Sequence, residues 1–152
     1  MSERDVEVPV SRRAARLLVV DHEKNVFLFQ YDDGTRRWWA TPGGGLEGDE
    51  TFEEAAAREA MEELFLDGIP LVPMWLDTVD FTFRGRLIHQ VERYFLIRLR
   101  QRDGSLDGIV GEAHRRECIV AGRWWSPEDL SATAEQVFPK DLREHLAALP
   151  DL

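Results

Sequence analysis

The chain has 152 residues, 29 acidic against 19 basic, and a formal charge of −10 at pH 7 with histidine neutral. That length suits one domain, residues 1–152, around one core, and a hydrophobic content of 43% argues against disorder. The acidic balance excludes general affinity for a nucleic-acid backbone, which needs clustered Lys and Arg, and one cysteine with four scattered histidines excludes an intrachain disulfide and a soft-metal centre.

Residues 1–13 are polar and read as a loose lead-in; their charged start opens no apolar signal segment. No later stretch approaches the roughly 20 apolar residues of a membrane span, so a cytoplasmic location and no membrane partner are expected. Ala14 to Val20 and Val26 to Tyr31 are short apolar runs parted by a polar turn, the pattern of a β-hairpin. Trp38 to Thr41 is a short strand stopped by Pro42 and three glycines. Thr51 to Leu64 reads as a helix, with Thr51 and Glu54 spaced as a capping box. Met74–Phe83 and Leu87–Arg100 read as strands around the turn Arg84-Gly85-Arg86. A mobile loop is expected over 101–112, then a short helix or irregular segment over 113–121 and a last strand at Arg123–Trp125. Ser126 caps a short helix with Pro127 in its first turn, and Lys140 to Leu149 forms a final helix. This order gives a mixed α/β class, with helices packed on a mixed sheet rather than a regular βαβ alternation.

Most of the chemistry is concentrated between Gly43 and Glu63. With Glu59 set at zero and roughly 100° per residue, Glu62 falls near 300° and Glu63 near 40°, so three carboxylates share one arc. Ala56, Ala57, Ala60, Met61 and Leu64 form the adjacent arc and are the expected core face. Asp49, Glu50, Glu53 and Glu54 are explained by the helix dipole, which favours negative charge at the start. Glu62 and Glu63 are not, because the helix end disfavours anions and like charges three or four residues apart repel. Bound divalent cations would turn that repulsion into ligation, and Mg²⁺ takes hard oxygen ligands. Gly43, Gly44, Gly45 and Gly48 permit close backbone approach, and a glycine-rich turn before a helix can offer carbonyls to a metal and amides to phosphate.

These residues resemble the Nudix box. That pattern has a glycine, a glutamate after five residues, then after seven more Arg-Glu-apolar-any-Glu-Glu-any-Gly-apolar; here Gly44, Glu50, Arg58, Glu59, Ala60, Glu62, Glu63 and Leu66 match. One position departs: the second glycine is Phe65, so the helix is expected to run on or to end without a left-handed cap, with the Phe65 ring packed in the core. The resemblance implies the Nudix α/β/α sandwich with a mixed central sheet. It implies a Mg²⁺-dependent pyrophosphohydrolase, with Mn²⁺ as substitute, that cleaves a nucleoside diphosphate linked to another moiety by water attack on phosphorus. Glu59, Glu62, Glu63 and the Gly44 carbonyl would be metal ligands, Arg58 would orient Glu50 or Glu59, and Gly43, Gly45 and Glu50 would shape the site. No protein nucleophile is expected.

Members of this family often use one more carboxylate from a loop outside the box. Between Arg100 and Arg123 the candidates are Asp103, Asp107, Glu112 and Glu117. The two aspartates precede glycines and look like turn residues, and Glu117 lies between Arg116 and Cys118, where an ion pair explains it. Glu112, after Gly111 and the apolar pair Ile109-Val110, is the chosen general base. Trp38, Trp39, Trp75, Phe81 and Phe83 are candidates for stacking on a base or for filling the core. The partner is a small phosphorylated, nucleotide-derived substrate, with homodimerisation left open. No proline lies between Pro73 and Pro127, so the proline that marks many ADP-ribose enzymes of the family is absent. Two other readings compete: a Nudix-fold nucleotide-binding or regulatory protein without catalysis, and a purely structural acidic helix. The complete glutamate set speaks against both.

Overall fold

The computed structural model describes residues 8–100 and 106–151. In chain order the elements are β1 (Val10–Val20), β2 (Val26–Asp32), β3 (Arg37–Ala40), β4 (Gly43–Gly45), α1 (Phe52–Leu64), β5 (Val72–Phe83) and β6 (Arg86–Arg98). Then come α2 (Glu112–Arg116), β7 (Ile119–Trp125), α3 (Pro127–Ala132), β8 (Val137–Phe138) and α4 (Leu142–Ala147). The strands form a mixed sheet in the order β5-β6-β1-β2-β3-β8, with β4 on β1 and β7 on β2.

Strand alternation sends side chains to two faces, and each face has its own core. Ala15, Leu17, Val19, Phe27, Phe29, Phe95 and Ile97 pack against Ala55, Ala56, Ala60 and Leu64 of α1. Leu18, Val20, Val26, Leu28 and Leu96 pack against Leu130 of α3 and Leu142 and Leu146 of α4. The α/β expectation, helices on both faces of a mixed sheet, is what the structure has.

Several boundaries differ. The lead-in reading of residues 1–13 fails from Val10 onward: Val10 to Arg13 pair in parallel with Ile88 to Val91 of β6, which supplies ladder bonds that β-propensity alone did not reveal. Residues 1–7 lie outside the described residues. The β1–β2 hairpin is antiparallel but has one registered pair, Val20↔Val26. Beyond it the strands part, β2 pairing with β3 and β7 and β1 with β6 and β4. Gly43–Gly45 is not a free turn but a strand against β1, and β8 is a short parallel partner of β3 that the sequence did not announce. Of the loop expected to be mobile, residues 101–105, including Asp103, lie outside the described residues. Its second half is anchored instead, with Leu106 fully buried and Ile109 and Val110 packed on the α1-side core.

Helix α1 starts as its sequence requires. Thr51 Oγ1 accepts from the Glu54 N–H at 3.1 Å while Glu54 returns an acceptor to the Thr51 N–H at 3.0 Å, which satisfies two donors the helix cannot satisfy itself. Its core face is rotated from the expected arc. Ala55, Ala56, Glu59, Ala60 and Leu64 are buried, whereas Ala57 and Met61 are exposed. The sheet thus takes the edge of the carboxylate arc inward. The exit also corrects the sequence reading. Phe65 is itself the left-handed cap, with φ 57°, and its N–H donates to Met61 O at 3.1 Å. Its ring is 67% exposed rather than in the core and meets the His114 ring at a near-perpendicular angle.

Candidate active site

Arg58 organises the start of the site. Its Nε and Nη2 donate to the two oxygens of Glu50 at 2.8 and 3.0 Å, and Nη2 also reaches Gly45 O at 3.0 Å. Nη1 donates to Glu59 at 2.9 Å and to Glu62 at 3.3 Å. The fork holds the Glu50 carboxyl at about 2, well below its ordinary range, helped by the Glu47 N–H. The guanidinium thereby ties the β4 loop to α1.

Glu59 is buried against β4. A Cβ on Gly44 would stand 2.6 Å from Glu59 Oε1, so only glycine lets this backbone lie against the carboxylate. Gly43 has φ 137° and a Cβ there would collide with the Ala15 carbonyl; one on Gly45 would meet the Arg12 guanidinium at 2.8 Å. The three glycines permit close strand packing. Glu62 is exposed. Glu63 is partly buried, yet its Oε2 is wholly enclosed and has no hydrogen-bond donor. That burial, with Glu59 beside it, raises the Glu63 carboxyl well above its ordinary value. Among the described residues no three carboxylates close on one point; Arg58 draws Glu59 and Glu62 to itself. The residues nonetheless fit a divalent cation. A buried carboxylate oxygen without a donor, a glycine backbone pressed on Glu59 and an all-oxygen donor set are what a hard cation requires.

The parting of β1 from β2 opens a cavity of about 480 Å³ beside these acids. Glu63, Gly43 and Gly44 line it together with Arg12 and Arg16 of β1, Tyr31 of β2 and Trp38 of β3. Arg16 is fixed, its Nε donating to Glu92 at 3.1 Å, and Gln90 and Tyr94 donate to the same carboxylate. Arg12 makes no ion pair among the described residues. Sequence reasoning missed both arginines. The signal was present, since residues 12, 14 and 16 share a strand face, but it is legible only if the strand begins at Val10.

The aromatic candidates divide. Trp38 lies flat on Tyr31, with centroids 5.6 Å apart, and meets Phe83 edge-on, and Trp38, Phe81 and Phe83 all line the cavity. Trp39 packs on Trp125 in the opposite core, and Trp75 is held between Tyr94 and His145. These two do not reach the site.

Glu112 is not where the sequence placed it. Its side chain is 86% exposed at the start of α2, paired with Arg116 one turn on at 3.4 Å, and it does not line the cavity. Glu117 does. Helix α2 is only five residues long, and Cys118, at φ 66°, turns the chain sharply into β7. Glu117 therefore sits at a corner facing the acids, a position that neighbouring charges in sequence could not disclose. His114 was missed as well. It is buried between the rings of Phe29 and Phe65 and joins α2 to α1.

A family model described as the NUDIX domain matches residues 10–148. A protein of Wolbachia pipientis named RNA pyrophosphohydrolase is 25% identical over 146 residues, 88% of each chain. One of the same name from Sulfurovum is 34% identical over 87 residues, 52% of this chain and 55% of that protein, so the match spans about half of that relative's length. The crystal structure of a MutT protein from Methanosarcina mazei superposes with a TM-score of 0.64 at 21% identity, covering 94% of this chain and 96% of that one.

Proposed function

This chain belongs to the Nudix family, hydrolases that act on diphosphate bonds, and from that premise we propose that it is a Mg²⁺-dependent pyrophosphohydrolase of a nucleoside diphosphate linked to a second group. The observation that carries the reading is Glu63: a carboxylate with an enclosed oxygen that no donor satisfies, opening on a cavity that also holds arginines and aromatic rings. Glu59, Glu62, Glu63 and the Gly44 carbonyl would hold the cation, Mn²⁺ serving in place of Mg²⁺. When bound it neutralises the diphosphate and makes water acidic enough to attack at neutral pH.

The chain's own residues do the rest. Arg12, which makes no ion pair among the described residues, receives a phosphate oxygen, and Arg16 backs the cleft while tied to Glu92. Trp38, Phe81 and Phe83 offer apolar wall for a base. Glu117 takes the proton of the attacking water, the role that Glu112 cannot fill from the outer surface.

The test is product analysis on a panel: nucleoside diphosphate sugars, dinucleoside polyphosphates, nucleoside triphosphates and, because of the relatives' printed name, RNA with a 5′-terminal polyphosphate. Cleavage at a phosphoanhydride that needs Mg²⁺ or Mn²⁺ and stops with chelator is expected, with a nucleoside-diphosphate-linked compound turned over fastest. Preference for the RNA end would correct the substrate. Binding without turnover would leave a nucleotide-binding protein instead.

A further inference from the structure

The imidazole of His114 is 6% exposed, and both of its nitrogens are engaged. Nδ1 accepts from the Gly111 N–H at 3.1 Å, and Nε2 lies 2.9 Å from the Glu63 carbonyl oxygen. A carbonyl only accepts and an amide N–H only donates, so both bonds form together in the neutral ring that carries its proton on Nε2. The first bond closes the start of α2. The second holds the last turn of α1, where a carbonyl has lost its helical partner. Phe29 and Phe65 flank the ring, with centroids 5.4 and 6.3 Å away. Glu117 follows three residues later, its own N–H donating to the His114 carbonyl at 2.9 Å.

One side chain thus spans the two elements that bring acids to the cleft. On the α1 side its partner is the backbone of Glu63; on the other it closes the five-residue helix that ends at Glu117. We propose that His114 is a positioning residue: it sets the distance between the Glu63 turn and the Glu117 corner and so places the proton acceptor over the reaction centre. This rests on the reading of Glu117 as that acceptor. Burial asks only that both ring nitrogens find partners; here the partners belong to the two segments that carry Glu63 and Glu117.

The test is a double-mutant cycle in kcat at saturating Mg²⁺. His114→Phe keeps a ring between Phe29 and Phe65 and deletes both bonds. It is expected to lower kcat about 10–100-fold, as loss of an orienting partner does, with KM nearly unchanged. In a Glu117→Gln background the same change is expected to cost less than about 3-fold, because there is no acceptor left to misplace. His114→Gln, whose amide can still donate to the Glu63 carbonyl, is expected to recover part of kcat and serves if the Phe variant does not fold. Equal losses in both backgrounds, or a kcat untouched by His114→Phe and His114→Gln, would overturn the proposal. Full kcat in Glu117→Gln alone would sink the underlying reading of Glu117 and is seen separately.

Discussion

The two ends of α1 use the same residue type in opposite ways. At the start, Glu54 closes the capping box and Glu50 receives a two-pronged Arg58, so every short contact is answered and the acids sit where the helix dipole welcomes them. At the end, no basic residue occupies the last turn, and Glu63 faces a cavity with one enclosed oxygen unanswered. Glu50 and Glu54 have donors within the chain, whereas Glu63 keeps one enclosed oxygen without a donor.

The largest effect should come from replacing Glu63 by its neutral isostere. Glu63→Gln is expected to cut kcat by orders of magnitude while the melting temperature without metal holds or rises, since the amide keeps the shape of the carboxyl and cannot ionise in its enclosed site. Steady-state kinetics and thermal unfolding in chelator check both halves. Full activity, or a collapse of stability, would break the contrast between the two ends.

The ends should also respond to pH with opposite signs. Glu63 is raised above its ordinary 4.5, so the folded chain holds a proton that the unfolded chain releases, and stability contributed by that proton declines as pH climbs above 4.5. Glu50 is lowered to about 2, so its contribution is present above 4.5 and is lost as pH falls toward 2. Melting curves in chelator should show the alkaline decline flattened in Glu63→Gln and the acid decline flattened in Glu50→Gln. Added Mg²⁺ should oppose only the first. The same slopes in both variants would remove the distinction.

The smallest effect sharpens where the helix stops. Phe65 stands in the left-handed region, which costs a side chain roughly 1–2 kcal/mol. Its exposed ring regains part of that against His114. Phe65→Gly is therefore expected to shift stability by no more than about 1 kcal/mol, far from the roughly 3–5 kcal/mol of a truncated core Phe. Denaturant unfolding decides it, and a loss of several kcal/mol would return Phe65 to the core.

What was legible in the sequence follows the range of the interactions. Thr51, Glu54, Arg58, Glu59 and Glu63 lie within one helix, where a fixed 3.6-residue period turns spacing into geometry. Ser126 and Pro127 announced α3 by the same local logic. Glu117, His114 and Arg12 reach the site through pairings between distant segments: β1 beside β6, and α2 against the end of α1. Such contacts have no period, so Glu112 looked better than Glu117. Phe65 misled for another reason, because a left-handed cap is normally marked by a glycine and here is not.

Strands β1 and β2 meet at Val20 and Val26 and then diverge like the tines of a fork. Arg12 and Arg16 are on one tine, Tyr31 on the other with Trp38 next to it, and none of them belongs to the helix that carries the glutamates. Tyr31 and Trp38 can be substituted to reshape the slot while the backbone of α1 keeps its place on the sheet. Selection for a new substrate and retention of the same bond cleavage are thereby separable, and the fork is the part of this fold where descendants of one hydrolase can diverge in diet while sharing its chemistry.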